Sequence, residues 1–407
     1  MIEISSTDKT IYGSIDLESS KSISNRLLII EELCKTKFEI QNLSNARDTK
    51  ILFEILNNYK TRKDLNCEDA GTALRFIIAF LTTREGIWRV SGSKRMHERP
   101  VKPLIDCLKD LGCEIKYLEN KGFPPIEIKK SKKLKSKKLS LVGDISSQFI
   151  SALLLVAPTI ENGLTLEITS KVLSKPYIAM TLGLMSEFGI EHSWKNNVIK
   201  VKQQNYLAKN IKVENDWSAA SFWYSFLALS KSGEIKIPNL NANSLQGDSV
   251  LSSIYLKLGI KTEFNEDSII LNKTKNVAKE LELDLSNHPD LALPIIVTCC
   301  GLGIKAHLMG LESLKVKESN RLECIKQELR KFNISCEIDS TSIKIKENQN
   351  IVQPISLIKC HNDHRIAMSI APLCMKVDSI KFDDKEVVNK SYPKFWEDID
   401  RVSKNNN

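Results

Sequence analysis

The sequence predicts an α+β fold built by duplication of one module of about 74 residues. Three observations predict it: a recurring helix end, a hairpin pattern after the copies, and a length that accommodates five to six modules. At 407 residues the chain also exceeds the usual size of one domain, which favours two domains of roughly 200 residues each.

The recurring helix end is a Leu-x-x-Leu-Gly-like element. Its four copies finish at Gly112, Gly189, Gly259 and Asn333, which are spaced by 77, 70 and 74 residues. Gly and Asn suit the left-handed backbone conformation that ends many helices, because a Cβ is strained there in other residues. These positions therefore predict four helix C-termini.

A pattern of alternating apolar and polar residues follows the helix ends. It runs over residues 198–202, 268–271 and 342–346, each time after a polar turn, and predicts a β-hairpin in each module. A module of this kind is incomplete alone and buries its helices against its neighbours. No Gly-x-Gly-x-x-Gly follows a predicted strand, which argues against a dinucleotide-binding sheet.

The composition is that of a globular protein, with 42% hydrophobic and 27% charged residues, and excludes a disordered chain. The net charge is +9, but seven lysines lie between residues 129 and 138, and the remainder of the chain carries only +2. No aromatic residues alternate with these lysines to stack on bases. The run therefore predicts a solvated loop, and we expect no nucleic-acid partner.

The sequence also bears on location and metal binding. No apolar run reaches the ~18 residues of a membrane helix, and the N-terminus lacks the basic and apolar regions of a secretory signal. The ten cysteines contain no Cys-x-x-Cys pair, so we expect reduced, mostly buried thiols and no metal site. We expect a cytoplasmic protein with no membrane association.

Arginine is rare in this chain and concentrated in polar clusters. There are 12 arginines against 47 lysines, with none between Arg99 and Arg321. Because the planar guanidinium binds phosphate and carboxylate in a bidentate manner, the clusters predict a highly anionic substrate. Each cluster alone is also compatible with helix capping or a structural ion pair. The polar clusters are 19–26, 68–75, 95–99, 146–148, 174–177, 288–290, 317–321, 363–365 and 390–393.

Taken in order, these segments resemble the 5-enolpyruvylshikimate-3-phosphate (EPSP) synthase family, from Lys21 to Trp396. The resemblance implies two similar domains, each of three βαβαββ-type units about a pseudo-threefold axis, six units in all. It places residues 1–18 with 217–407 in one domain and 19–216 in the other, and puts the active site in the cleft between them. The matching motifs are Ser20-Lys21-Ser22 with Arg26, Ala70-Gly71-Thr72-Ala73 with Arg75, Arg95 with Glu98-Arg99-Pro100, Ser146-Ser147-Gln148, Lys175-Pro176-Tyr177, Gln246-Gly247-Asp248, Pro289-Asp290, Lys317-Glu318, Asp363-His364-Arg365 and Lys390-Ser391.

The family reaction transfers the enolpyruvyl group of phosphoenolpyruvate to the 5-hydroxyl of shikimate 3-phosphate and releases phosphate. By resemblance, shikimate 3-phosphate is bound by Lys21, Ser22, Arg26, Ser146, Ser147, Gln148, Ser174, Asp290 and Lys317. Phosphoenolpyruvate is bound, on the same basis, by Lys21, Gly71, Arg95, Gln148, Arg321, Arg365 and Lys390.

The resemblance implies three catalytic residues: Asp290, Glu318 and Lys21. Asp290 matches the general base for the attacking hydroxyl, and Glu318 matches the acid that protonates the methylene carbon. Lys317 and Lys390 are expected near the developing charge, and Lys21 is expected to contact both substrates. No cofactor and no metal are implied, and we expect a monomer. Since Gly71 has no Cβ, we also expect the herbicide glyphosate to enter the phosphoenolpyruvate site.

Four departures from the family pattern mark this chain: Ser19, Glu68-Asp69, Ser313 and Asn320. Ser313 replaces a common Asn, so its contact with substrate is expected to run through water. Three alternatives stay open at this point. One is a UDP-N-acetylglucosamine enolpyruvyl transferase on the same fold, which needs a reactive cysteine in its N-terminal half; the others are a non-enzymatic anion- or nucleic-acid-binding protein and an inactive paralogue.

Overall fold

The computed structural model describes residues 1–129, 134–135, 138–143, 146–347 and 350–404. These residues form twenty strands and twelve α-helices. The strands are β1 (Ile2–Ser5), β2 (Thr10–Ser14), β3 (Ile40–Gln41), β4 (Asp64–Asn66), β5 (Ile87–Ser91), β6 (Glu114–Tyr117), β7 (Ile126–Lys129), β8 (Lys138–Leu141), β9 (Leu164–Ile168), β10 (His192–Lys195), β11 (Val198–Val201), β12 (Ile211–Lys212), β13 (Ser232–Pro238), β14 (Leu258–Phe264), β15 (Ser268–Val277), β16 (Glu280–Asp284), β17 (Lys305–Met309), β18 (Cys336–Ile338), β19 (Ser342–Ile345) and β20 (Ser379–Phe382). The helices are α1 (Lys21–Leu33), α2 (Arg47–Asn58), α3 (Gly71–Leu81), α4 (Lys102–Asp110), α5 (Ser147–Val156), α6 (Lys175–Glu187), α7 (Trp217–Leu229), α8 (Leu251–Lys257), α9 (Ala292–Leu302), α10 (Arg321–Arg330), α11 (His364–Ile370) and α12 (Phe395–Lys404).

The chain divides into two compact units. The N-terminal unit is Ser19–Val213, and the C-terminal unit combines Met1–Glu18 with Glu214–Asn407. Each unit has a separate hydrophobic core. Several helices are apolar on all sides, as a position inside a core requires: every residue of α5 from Phe149 to Val156 is buried. Burial of the module helices against one another is the arrangement that the repeat pattern predicts.

Four four-stranded sheets share one topology, which is that of a βαβαββ module. In each sheet the first two strands are parallel, and the second strand of the following hairpin lies antiparallel to the second of these two strands. A helix joins the parallel strands in three of the sheets, whereas the whole N-terminal unit and α7 lie between β2 and β13. In the N-terminal unit the strand orders are β4-β5-β7-β6 and β8-β9-β11-β10. In the C-terminal unit they are β2-β13-β15-β14 and β16-β17-β19-β18.

The third module of each unit is abbreviated. In the described residues it has a two-stranded sheet without a hairpin, namely the parallel pair β3 and β12 in the N-terminal unit. Its counterpart in the C-terminal unit is the antiparallel pair β1 and β20. The hairpin that the repeat pattern predicts is therefore present in four of the six modules, and these are the four that carry the helix-end element.

The helix ends adopt the backbone conformation that their residues favour. The φ angles are +101° at Gly112, +79° at Gly189, +85° at Gly259 and +61° at Asn333. A hairpin follows Gly112, Gly189 and Asn333, and Gly259 is the second residue of the hairpin strand β14, so the predicted hairpins are confirmed. The cysteines are free thiols; eight are buried, and Cys34 and Cys324 are half-buried.

None of the described helices is both long enough and apolar enough to cross a bilayer.

Candidate active site

In the C-terminal unit, acidic and basic side chains converge at the starts of helices. Asp290 lies in a short 3-10 turn (Pro289–Leu291) that leads into α9. Glu318 lies just before α10, which begins with Arg321. Asp363 is the N-cap of α11 and accepts from the backbone N–H of Arg365 at 3.0 Å. Together with Lys390 these residues form what we call the carboxylate–cation cluster: Asp290, Glu318, Arg321, Asp363, Arg365 and Lys390.

Arg321 is the centre of this cluster and is only 2% exposed. Its Nε lies 2.8 Å from Asp363 Oδ2, its Nη2 lies 2.9 Å from Glu318 Oε2, and its Nη1 lies 3.4 Å from Asp290 Oδ1. Burial by itself would lower the pKa of Arg321, but the three carboxylates outweigh it and raise the pKa above its usual value. Arg321 is therefore a permanent cation.

The two carboxylates that sequence analysis assigns to catalysis each contact two cations. Asp290 Oδ2 is 3.0 Å from Arg365 Nη2, in addition to its contact with Arg321. Glu318 Oε1 is 3.4 Å from Lys390 Nζ, while its other oxygen contacts Arg321. The side chains of Asp290 and Glu318 are 21% and 15% exposed, so both can reach a ligand. Lys317 is half-buried and directly precedes Glu318.

Asp363 is a member of the carboxylate–cation cluster to which sequence reasoning assigned no role. It is completely buried and accepts from Ser319 Oγ at 3.0 Å as well as from Arg321. Its signal in the sequence is the position directly before a helix, where an Asp commonly caps. In addition to capping α11, the Asp363 carboxylate contacts Arg321 and so links the N-terminus of α11 to α10.

In the N-terminal unit, the predicted residues cluster at helix N-termini, where backbone N–H groups favour anions. Ser20 caps α1, and Lys21 is its first residue. Lys21 Nζ lies 3.2 Å from Asp48 Oδ2, and the Asp48 side chain is almost fully buried. Sequence reasoning missed Asp48, which lies in the first turn of α2, because nothing local links it to Lys21. Ser22 is half-buried.

Arg26 lies inside the protein, with 3% of its surface exposed. Its guanidinium donates to Thr181 Oγ1 at 2.7 Å and to the Ser22 carbonyl at 2.7 Å. It also donates to Ser151 Oγ at 3.2 Å and to the Tyr177 carbonyl at 3.1 Å. Burial lowers the pKa of Arg26 to about 10. These contacts join α1, α5 and α6, and the predicted contact of Arg26 with shikimate 3-phosphate stays a prediction.

The starts of α3 and α5 meet through a side-chain hydrogen bond. Gln148 Nε2 donates to Thr72 Oγ1 at 3.1 Å, and the Gln148 backbone N–H donates to the N-cap Ser146 Oγ at 3.2 Å. Ser147 is the first residue of α5. At the start of α6, Ser174 is buried and has a left-handed backbone with φ +55°. These hydroxyl and amide groups are suited to hydrogen-bond a polar, anionic ligand.

Gly71, the first residue of α3, lies against a guanidinium. A Cβ built on Gly71 would meet Arg99 Nη1 at 2.6 Å and Arg99 Cζ at 2.9 Å. Sequence analysis gave Arg99 no role of its own. Arg75 holds this region together, since it donates to the Gly71 carbonyl at 3.1 Å and to the Pro100 carbonyl at 3.0 Å. Arg95 is 41% exposed and lies 2.7 Å from Glu98.

The cysteines do not supply an activated nucleophile. Burial raises the pKa of Cys107 to about 12 and that of Cys113 to about 11. Burial likewise raises the pKa of Cys67 to about 12 and that of Cys34 to about 11. These are all the cysteines of the N-terminal unit. The reactive thiol that the UDP-sugar alternative requires is therefore not supported.

Two of the three described lysines of the run lie beside glutamates. Lys138 Nζ lies 2.8 Å from Glu167, and Lys129 Nζ lies 3.6 Å from Glu114. Lys130, Lys132, Lys133 and Lys137 lie outside the described residues. In the described ranges, His, Cys, Asp and Glu form no group of three or more that could hold a metal ion.

Both sets of residues, with cations and hydroxyls at helix N-termini and carboxylates nearby, are of the kind suited to binding small polyanions. Comparison with known proteins then identifies the family. Residues 57–399 match EPSP synthase (3-phosphoshikimate 1-carboxyvinyltransferase). The 3-phosphoshikimate 1-carboxyvinyltransferase of Bacteroides fragilis is 39% identical over 396 residues, which cover 97% of this chain and 96% of that protein. The protein of the same name from Histophilus somni is 32% identical and covers 97% of both chains.

The solved structures agree with the sequence comparisons. EPSP synthase from Acinetobacter baumannii has a TM-score of 0.80 at 18% identity, over 98% of this chain and 97% of that one. This likeness confirms the predicted fold class of two similar α+β domains built from repeated units. The chain belongs to the EPSP synthase family. Its reaction is the transfer of the enolpyruvyl group of phosphoenolpyruvate to shikimate 3-phosphate, a step of the shikimate pathway.

Proposed function

We propose that the two units each contribute one half of a single active site for this transfer, with the substrates bound in a cleft between the predicted domains 1–18 with 217–407 and 19–216. The support is chemical: each unit presents cationic and polar side chains that point to small anions, and the two predicted substrates carry two phosphates and two carboxylates in total. A single polyanion would not require cations on both units.

The phosphoenolpyruvate half of the proposal rests on the cations of the carboxylate–cation cluster. Arg321, Arg365 and Lys390 each contact at least one carboxylate, and Arg365 also donates to the Asp290 carbonyl at 3.0 Å. Cations oriented in this way before the ligand arrives stabilise phosphate charge as it develops, without a reorganisation cost. From the N-terminal unit, Lys21, Gly71, Arg95 and Gln148 complete this proposed set.

For shikimate 3-phosphate we propose the hydroxyl-rich helix starts of the N-terminal unit. Ser146, Ser147, Gln148 and Ser174 open α5 and α6, and Lys21 and Ser22 open α1. Backbone N–H groups at these ends, together with the hydroxyls, suit a phosphate ester and ring hydroxyls. Arg26 belongs to this set and also links α1 to α5 and α6 through its hydrogen bonds. Asp290 and Lys317 contribute from the C-terminal unit.

The transfer forms a bond between the 5-hydroxyl oxygen and C2 of phosphoenolpyruvate and breaks the bond from C2 to the phosphate oxygen. The hydroxyl must lose its proton, and we assign this proton to Asp290. The methylene carbon gains a proton during the addition, which makes C2 electrophilic. The same carbon loses a proton again when phosphate leaves, and we assign both proton transfers to Glu318. Arg321 contacts both carboxylates, at 3.4 and 2.9 Å, and so holds the two groups in a fixed relation.

The first test is phosphate release from phosphoenolpyruvate, measured with and without shikimate 3-phosphate. We expect release only when both substrates are present. Asp290→Asn keeps the size of the side chain but removes its basicity, so we expect the rate to fall by about 100-fold or more. Asp8→Asn, on the exposed surface, serves as the matched control and should keep the wild-type rate.

Phosphate release at the same rate with and without shikimate 3-phosphate would contradict the substrate assignment. A rate that is unchanged in Asp290→Asn would contradict only the assignment of the base. We further propose that the chain acts as a monomer, since one chain supplies both sets of residues.

A further inference from the structure

We propose that Glu328 and His361 are positioning residues that set the distance between Arg321 and Arg365, and thereby tune the binding of phosphoenolpyruvate. The inference rests on the proposed role of these two arginines. They come from different elements, since Arg321 begins α10 and Arg365 is the second residue of α11. Their spacing therefore depends on what holds the chain segment before α11 against α10.

The first attachment of that segment is within the carboxylate–cation cluster. Arg321 on α10 binds Asp363, the residue that caps α11. Glu328 follows Arg321 by seven residues on the same helix. At 3.6 residues a turn, positions seven apart lie on the same helix face, about 10 Å from each other along the axis. α10 therefore presents a cation and a carboxylate to one side.

The second attachment is made by Glu328, which is 1% exposed. Its Oε1 lies 2.8 Å from His361 Nε2, and its Oε2 accepts from the Lys359 backbone N–H at 2.9 Å. Lys331 Nζ lies 2.6 Å from the same carboxylate and also donates to the Leu357 carbonyl at 2.7 Å. One buried carboxylate therefore fixes the segment 357–361, which leads directly into Asp363 and Arg365.

The backbone between the two attachments is in an unusual conformation. His361 and Asn362 both have left-handed backbones, with φ +54° and +52°. Such a conformation is strained for most non-glycine residues, though less so for Asn, and persists only where the surroundings impose it. The contact with Glu328 holds His361 at one end of this pair, and the contact with Arg321 holds Asp363 at the other.

A buried ionic contact is a costly way to hold two segments together if stability alone is required, because apolar side chains of similar size do so at less cost. It does fix direction, since the carboxylate admits its three partners only along its lone pairs. Direction is what a pair of guanidinium groups around one small anion needs. A misplacement of about 1 Å costs such a site up to about 100-fold.

The test is steady-state kinetics of His361→Asn, Glu328→Gln and Glu328→Ala. Asn tolerates the left-handed backbone but is too short to keep the contact with Glu328. We expect the KM for phosphoenolpyruvate to rise about tenfold in His361→Asn, with the KM for shikimate 3-phosphate within about twofold of wild type. Glu328→Gln keeps the shape of the side chain and one acceptor oxygen. We therefore expect its KM for phosphoenolpyruvate to lie much closer to the wild-type value than that of Glu328→Ala.

His307→Asn is the matched control, because His307 is also half-buried in the C-terminal unit but contacts Ser342 on a neighbouring strand. It should leave both KM values unchanged. Equal changes of both KM values in His361→Asn, or a fall in kcat alone, would overturn the inference. Arg365→Lys separates the two proposals: if it leaves the KM for phosphoenolpyruvate unchanged, the assignment of the arginines fails and the inference fails with it.

Discussion

Two buried arginines of this protein have opposite electrostatic surroundings. Arg321 contacts three carboxylates, which raise its pKa, whereas Arg26 donates to hydroxyl and carbonyl oxygens and lies over the Phe76 ring, and burial lowers its pKa to about 10. Both stay protonated at neutral pH. Arg321 belongs to a set of alternating charges, while Arg26 joins three helices. Residue type alone could not separate these two roles.

The residue-scale prediction concerns Gly71. We expect glyphosate to inhibit the wild-type enzyme in competition with phosphoenolpyruvate. In Gly71→Ala the new Cβ would lie 2.6 Å from Arg99 Nη1, so the guanidinium must move. An added methyl group in a closely fitted site is worth about 10-fold or more in affinity. We therefore expect the inhibition constant of glyphosate to rise by at least that factor.

Inhibition kinetics with phosphoenolpyruvate as the varied substrate measure both quantities. The KM for shikimate 3-phosphate is the internal control and should change little. Wild-type enzyme that resists millimolar glyphosate would contradict the expectation. The residue to examine then is Asp69, which departs from the family pattern and precedes Gly71 by two positions. Its carboxylate accepts a hydrogen bond from Ser93 Oγ.

At the scale of elements, the repeat pattern shows what sequence could and could not reveal. The four complete modules end their helices at Gly or Asn and continue into alternating strands, so local residue preferences reveal them. The abbreviated modules contain only short strands, β3 and β12 of two residues each and β1 and β20 of four each, and no hairpin pattern marks them. Nor could any local pattern reveal that Asp48 on α2 binds Lys21 on α1.

The element-scale prediction concerns the end of α10, the helix that carries Arg321 and Glu328. Asn333 follows this helix with φ +61°, and its Nδ2 donates to the Asn350 carbonyl at 3.0 Å. We expect Asn333→Ala to lower the free energy of unfolding by about 1–2 kcal/mol, because Ala is strained in the left-handed region. Asn333→Gly loses the same side-chain hydrogen bond without the strain and should cost less.

Chemical denaturation of the two Asn333 variants measures this difference. If Ala and Gly lower the stability equally, the strain account is wrong and the hydrogen bond to Asn350 dominates.

At the scale of the whole molecule, the chain consists of two units that each bury their own core. A single chain therefore holds both sets of predicted site residues without a second copy. We expect light scattering coupled to size-exclusion chromatography to give the mass of one chain at concentrations used for kinetics. A stable dimer mass at those concentrations would contradict the proposed monomer.

The pairing of β2 with β13 also bears on the order in which the two units can fold during synthesis. Thr10 lies opposite Ser232 in that sheet, and Ile2 lies opposite Phe382 in the pair of β1 with β20. The whole of Ser19–Val213 leaves the ribosome between the two partners of the first pair. That continuous stretch has all its own strands available before β2 can be paired. β1 and β2 are thus made before the N-terminal unit but reach their native neighbours only after it.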